Sequence, residues 1–250
     1  MRLFSAFARR RRRRSSPGSG RAGTVSSREQ LFIDQRRIAS RQARTIFDVG
    51  AQHGQNAIQY HRDFPQARIF AFEPAPENLD RARTEISAMQ DRIEILGLAV
   101  GERVGQFELN LNSRDGTHSR LPIGDLRFWS ERARPTGKIM VPSTTIDAFM
   151  AERGLDDIDI LSMDIQGGEM SALHGAHGAL AAGRIGLIAL EVAFRPIYQG
   201  NPDLWEVGAF LSRLNYNLFG LYDCVFAPSN DKVLSWADAI FVGPRHQRLA

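Results

Sequence analysis

Cysteine occurs once in the 250 residues, at Cys224, which excludes an internal disulfide and a cysteine metal cluster. No window approaches about 18 uninterrupted apolar residues, so no segment reads as a membrane-spanning helix. Acids are missing from the first 21 positions, which hold eight arginines (Arg2, Arg9 to Arg14, Arg21). Without those eight, 24 of the 32 basic residues face 28 acids, so the body carries −4 while the whole chain carries +4. The basic character belongs to the tail and is no argument for a nucleic-acid-binding face on the folded body. The tail also lacks the apolar stretch that follows the charges of a secretory signal. Residues 1–26 read as a disordered basic segment, with a weak membrane-surface anchor or an organelle transit peptide as the other readings. The lone cysteine and the lack of spans point to a reducing, cytoplasmic setting.

What is present is an alternation of strands and helices over residues 27–250, expected as one domain. Ser27-Arg28-Glu29-Gln30 fits a capping box opening a helix to about Ala43. Strands are expected at 45–49, 68–72, 93–96, 105–111, 138–142, 158–163, 185–191, 216–222 and 237–242. Helices are expected near 55–62, 76–89, 145–153, 168–182 and 203–214. Such alternation implies an α/β fold, a parallel sheet with helices on both faces. Residues 112–137 read as one long loop, and loops of that length are commonly lids.

Thr45-Ile46-Phe47-Asp48-Val49-Gly50-Ala51-Gln52-His53-Gly54 reads as a buried strand ending on an acid and entering a glycine turn. Phe70-Ala71-Phe72-Glu73-Pro74 is a second strand ending on an acid. Ligand crevices form this way, at the carboxyl ends of adjacent parallel strands. Glycines at 50 and 54 let the backbone turn sharply and approach a ligand, and Glu73 is placed to accept from both hydroxyls of a ribose. A dinucleotide fingerprint has glycine where this chain has Gln52, and that bulk argues against a pyrophosphate. S-adenosylmethionine has no pyrophosphate, and its cationic end suits Asp48.

A third strand ends on Asp164 and turns through Ile165-Gln166-Gly167-Gly168 to Glu169. Asp164 is either a crevice acid or the cap of the following helix. Glu191, also at a strand end, is either a further polar group of the crevice or the partner of Arg195. His118, in the expected lid, is the histidine placed to act as general base. His174 and His177 are spaced to share a metal, but no carboxylate pattern accompanies them, so no metal site is expected.

Taken together, Phe47-Asp48-Val49-Gly50-Ala51, Gly54, Ala71-Phe72-Glu73-Pro74, Ala99-Val100-Gly101, Asp164-Ile165-Gln166-Gly167 with Glu169, Glu191-Val192 with Phe194, Pro196, Tyr198 and Gly200, and Ala237 to Val242 resemble the FkbM-type S-adenosylmethionine-dependent methyltransferases. The resemblance covers about residues 42–243. It implies a class I, Rossmann-like fold with a seven-stranded, mostly parallel sheet whose last strand is antiparallel. It implies O-methylation of a small-molecule or glycan acceptor, on a hydroxyl of a sugar or natural product. The implied cofactor contacts are Asp48, Gly50, Ala51, Gly54, Glu73, Pro74 and Ala99, and Asp164 matches the acid of the family's later motif. The chain departs from the pattern at Gln52, often asparagine, and at Ser162, often lysine, which leaves the support of Asp164 open.

Three other functions compete with this one. A nucleic-acid methyltransferase would need an Asn-Pro-Pro-Tyr-like motif or a Pro-Cys nucleophile, and neither is present. A nicotinamide dehydrogenase is disfavoured by Gln52. A non-catalytic nucleoside-binding module shares the fold and is separated from an enzyme only by measured turnover.

Overall fold

The computed structural model describes residues 27–40, 42–124, 133–227 and 230–246. The basic tail, and with it the anchor and transit-peptide readings, lies outside these residues. Helix α1 (Arg28–Ala39) opens where expected, with Ser27 as N-cap accepting from the backbone N–H of Gln30 at 3.3 Å, the N-cap half of the expected box, and it ends at Ala39, short of Ala43. It buries Leu31, Gln35, Ile38 and Ala39, a one-sided stripe at helical spacing.

Seven strands make the main sheet: β1 (Thr45–Val49), β2 (Arg68–Phe72), β3 (Ile93–Leu96), β7 (Ile158–Met163), β8 (Ile185–Ala193), β9 (Asn217–Ala227) and β10 (Asn230–Val242). Their order is β3-β2-β1-β7-β8-β10-β9. β1, β2, β3, β7 and β8 pair in parallel, while β10 is antiparallel to both β8 and β9. The order reverses between β1 and β7, where an open α/β sheet forms its ligand crevice. α2 (Gln55–Asp63) follows β1, and α3 (Pro76–Glu85) follows β2.

The strands are apolar on both faces, as strands covered by helices on both sides must be. On β1, Phe47 and Val49 join a core with Phe70, Phe72 and Phe149 from α4 (Ile146–Glu152), and these rings meet largely edge to face. Ile46 faces the other way, into the core beneath α1 and α2. Alternation then decides where the polar residues go. Asp48 shares the face of Ile46. Its register partner Ser162 shares it with Ile160, and so does Asp238 with Ile240. Glu191 stands opposite Asp238 in the β8–β10 ladder. The acids of the sheet thus gather under α1 at one end of the sheet.

Two expectations need correction. β5 (Gly105–Asn112) and β6 (Pro135–Thr144) do not enter the main sheet but pair antiparallel in a separate one, with β4 (Ala99–Val100) beside β6. One face of this small sheet packs Leu109 and Val141 on Ala75 and Ala99, while Met140 stays exposed; a half-solvated sheet suits alternating sequence. The expected helix 168–182 divides into α5 (Glu169–His174) and α6 (His177–Ala181). The break is at Gly175, where a Cβ would lie 2.0 Å from the carbonyl oxygen of Gly101. α7 (Leu204–Arg213) carries a full capping box from Asp203 and Glu206.

Candidate active site

The crevice is built from two strand-to-helix turns. In the first, after β1, Gly50 and Gly54 have φ of +85° and +83° and Gln52 has φ of +50°, left-handed values costly for a residue with a Cβ. The backbone N–H groups of Gly50 and Ala51 both donate to the carbonyl of Phe72 at 2.9 Å. Gly50 is required for a reason other than ligand approach: a Cβ there would fall 2.0 Å from the carbonyl oxygen of Asp164. The two turns are packed backbone to backbone.

Glu73 secures the first turn. Its Oε2 accepts from the backbone N–H of Gln52 and its Oε1 from that of Ala75, both at 2.8 Å. Pro74 is half-buried beside it. Burial raises the Glu73 carboxyl to about 7, against these backbone hydrogen bonds. Asp48 is almost fully buried, and burial raises it to about 7 despite the polar Asn56 side chain and the nearby charge of Arg28. Its Oδ2 has no hydrogen-bond partner. Ala51 is buried behind the turn. Ala99 lies elsewhere: its methyl is sealed in the small-sheet cluster, so its side chain lines no crevice wall.

The second turn, after β7, carries Asp164. It does not cap α5, whose N-cap is Gly168 with no side-chain cap bond, so the capping reading is set aside. Asp164 is half-buried. Its Oδ1 accepts from Gln166 Nε2 at 2.6 Å, and the Tyr198 hydroxyl donates to Gln166 Oε1 at 2.7 Å. Tyr198 is the residue that strand-end reasoning missed; it lies in the segment after β8 that carries Pro196 and Gly200. Gln166 itself has φ of +55°. Glu169, where this turn enters α5, points inward: it is buried and its Oε1 accepts from the backbone N–H of Ile165 at 3.0 Å. Burial raises Glu169 to about 7, and raises Asp164 against the Gln166 hydrogen bond and the charge of Arg28. Glu191 makes no ion pair with Arg195 among the described residues; burial, then Asp164 and Glu169, hold its carboxyl well above the usual range.

The expected loop 112–137 is strand at both ends, Asn112 closing β5 and Pro135 opening β6; residues 113–124 span the two turns. Asp115 approaches His53 Nε2 at 3.4 Å and accepts from Arg81 at 2.7 Å. Gly116 packs on the Gln52 amide, Ser119 Oγ donates to the Gln166 carbonyl at 2.6 Å, and the Tyr198 hydroxyl oxygen lies 3.2 Å from the Thr117 carbonyl oxygen. His118 is corrected as general base. Its Nδ1 accepts from the backbone N–H of Asn112 at 3.1 Å, which puts the proton of the neutral ring on Nε2. No ring lone pair is left to take a proton, and burial lowers the imidazole below its ordinary value. His174 and His177 pack against the ring of Phe210.

The strand order, the reversal between β1 and β7 and the acid-ended turns on either side of it define a class I methyltransferase arrangement. The methyltransferase FkbM domain matches residues 48–218, more than half of the chain, and the chain belongs to that family. It is 29% identical over 162 residues to the 2-O-methyltransferase NoeI of Sinorhizobium fredii, covering 62% of this chain and 65% of that protein. It is 26% identical over 154 residues to the methyltransferase sdnD of Sordaria araneosa, covering 52% and 59%. The matches thus span under two thirds of either relative. A precorrin-6y C5,15-methyltransferase structure from Geobacter metallireducens superposes with a TM-score of 0.49 at 13% identity, over 90% of this chain and 92% of that one. No described helix is long and apolar enough to cross a membrane.

Proposed function

We propose that the chain is an S-adenosylmethionine-dependent O-methyltransferase acting on a hydroxyl of a sugar, glycan or natural-product acceptor. The observation that carries this reading is Asp164, half-open at the switch point and aimed by Gln166 and Tyr198, in a chain of this family. The residues fit the cofactor on their own chemistry. Asp48 Oδ2 is a buried carboxylate oxygen without a donor, suited to a cationic group. Glu73 has spent one lone pair of each oxygen on backbone amides, and each oxygen keeps another for a ribose hydroxyl. Gln52, where a dinucleotide fingerprint has glycine, argues against a pyrophosphate at this turn.

When bound, S-adenosylmethionine supplies a methyl group made electrophilic by its sulfonium. The chain's task is to hold an acceptor oxygen in line and to take its proton. Gln166 fixes Asp164 through Oδ1, which leaves Oδ2 to meet the hydroxyl. Burial raises the basicity of that carboxylate, which favours its taking the proton. The segment 113–124 roofs the crevice and limits water. The 2-O-methyltransferase named among the relatives supports a hydroxyl acceptor.

The test is titration calorimetry with S-adenosylhomocysteine and NAD, followed by a screen of glycosides and polyols for gain of a methyl group by mass. Tighter binding of NAD overturns the cofactor assignment. Cofactor binding without transfer to any acceptor makes the chain a binding module.

A further inference from the structure

Helix α1 precedes the matched family region, yet its first residue reaches into the crevice. Arg28 Nη2 donates to Asn56 Oδ1 at 2.8 Å and Nη1 lies 3.5 Å from Asp238 Oδ2, while its own Nε is buried without an acceptor. Arg28 thus links Asp238 on β10 to Asn56 on α2, and its charge also bears on Asp48. Arg28, Ser162, Asp164 and Asp238 line one small pocket of about 20 Å³, room for one water. Ser162 and Asp164, two residues apart, lie on the same side of β7. A lysine at 162 would enter this pocket; serine adds no charge there, and the cation that lines it is Arg28, from α1.

We propose that Arg28 is a positioning residue that supplies, from α1, the counter-charge to Asp48 and Asp164 that β7 does not provide. The role in transfer rests on the function proposed above. The groups facing the guanidinium are Asp48 at the end of β1, Tyr60 on α2, Asp164 after β7, Glu191 on β8, Asp223 on β9 and Asp238 on β10. Among the described residues, Arg28 is the cation whose field reaches Asp48, Asp164, Glu191 and Asp238 alike. A buried set of like charges is tolerated only with such a partner. Arg28 also ties the helix to the site: α1 docks where its first residue is held by the acids.

The experiment uses the full chain without cofactor, following thermal unfolding from about pH 5 to about pH 9. Removing a positive charge from among buried acids makes their ionisation harder in the folded state, so stability falls further as pH rises. The Arg28→Met variant is expected to lose several degrees more than the wild type between about pH 6 and pH 8. Arg28→Lys is expected to follow the wild-type curve, and Arg28→Met with Ser162→Lys to return toward it. An Arg28→Met curve displaced evenly at every pH means the side chain only packs, and overturns the proposal. If Arg28→Met does not fold, Arg28→Lys decides: a wild-type curve supports the proposal and a steeper fall overturns it. The readout needs neither cofactor nor acceptor. Failure of the wild type to bind S-adenosylhomocysteine would overturn the methyltransferase reading and leave this result standing.

Discussion

The turn after β1 and the turn after β7 are built alike and used differently. Each follows an acid at a strand end, each holds a glutamine in a left-handed conformation, and each is braced by a buried glutamate that accepts a backbone N–H. In the first turn the acid, Asp48, is sealed and the glutamine packs on the roofing segment through Gly116. In the second the acid, Asp164, is half-open and the glutamine aims it, with Tyr198 behind. In the function proposed above, the first turn would hold the cofactor and the second would present the base. The same backbone device thus serves two ends, and what differs is where the side chain of the strand-end acid can go.

The largest expected effect separates the two acids. Asp164→Asn keeps the shape of the turn and removes the charge, so turnover should fall about 10²- to 10⁴-fold with S-adenosylhomocysteine affinity nearly unchanged. Asp48→Asn should do the reverse, weakening S-adenosylmethionine binding by about 1.5–3 kcal/mol as a lost charged contact. Near-normal turnover of Asp164→Asn on a confirmed acceptor would remove it as the base.

Glycine substitution tests the backbone. Gly50→Ala drives a Cβ into the Asp164 carbonyl at a positive φ, and should cost about 2–5 kcal/mol, read as a lower melting temperature. Gly167→Ala, at φ +92°, would meet the Asn201 side chain at 3.0 Å and should cost less, about 1–3 kcal/mol. Equal losses would mean that the contact between the turns does not matter.

The bracing glutamates should be visible in the pH dependence of stability. Burial raises Glu73 and Glu169 from 4.5 to about 7, so the folded chain holds protons that the unfolded chain has released. Their contribution is full below about pH 4.5 and is lost as pH rises through about 7. Melting temperature attributable to these groups should decline by a few degrees over that window. Glu73→Gln and Glu169→Gln should each flatten the decline; an unchanged slope in either would clear that residue.

The smallest effect is Gln52→Gly. It relieves a left-handed glutamine of about 1 kcal/mol and returns a similar amount to chain entropy, so the melting temperature should move by no more than about two degrees. Gln166→Gly relieves the same conformation but deletes the bonds to Asp164 and Tyr198, and should lower turnover about tenfold. If the two variants behave alike, the second glutamine does not aim the acid.

Much of the scaffold followed from the residues in order. Apolar runs ending on Asp48, Glu73 and Asp164, each followed by glycine or proline, marked three strand ends, and strands buried on both faces leave a clear pattern. The N-cap at Ser27 and the alternation from residue 45 onward are equally local. The segregation of β5 and β6 into their own sheet was not legible, because a strand's pattern records which face is buried and not which partner it meets. His118 shows the same limit: its position suggested a base, and only its contact with the Asn112 amide removed the lone pair. Tyr198 and Arg28 come from segments far in sequence from the strand ends they serve, one after β8 and one before β1. The sequence by itself determined the strands, the turns and the acids at their ends, because those depend on neighbours along the chain. The tertiary structure alone decided that Glu73 and Glu169 brace backbone, that Asp164 stays open, and that a guanidinium from α1 stands among the acids, because charge and hydrogen bonding act across space without regard to sequence distance.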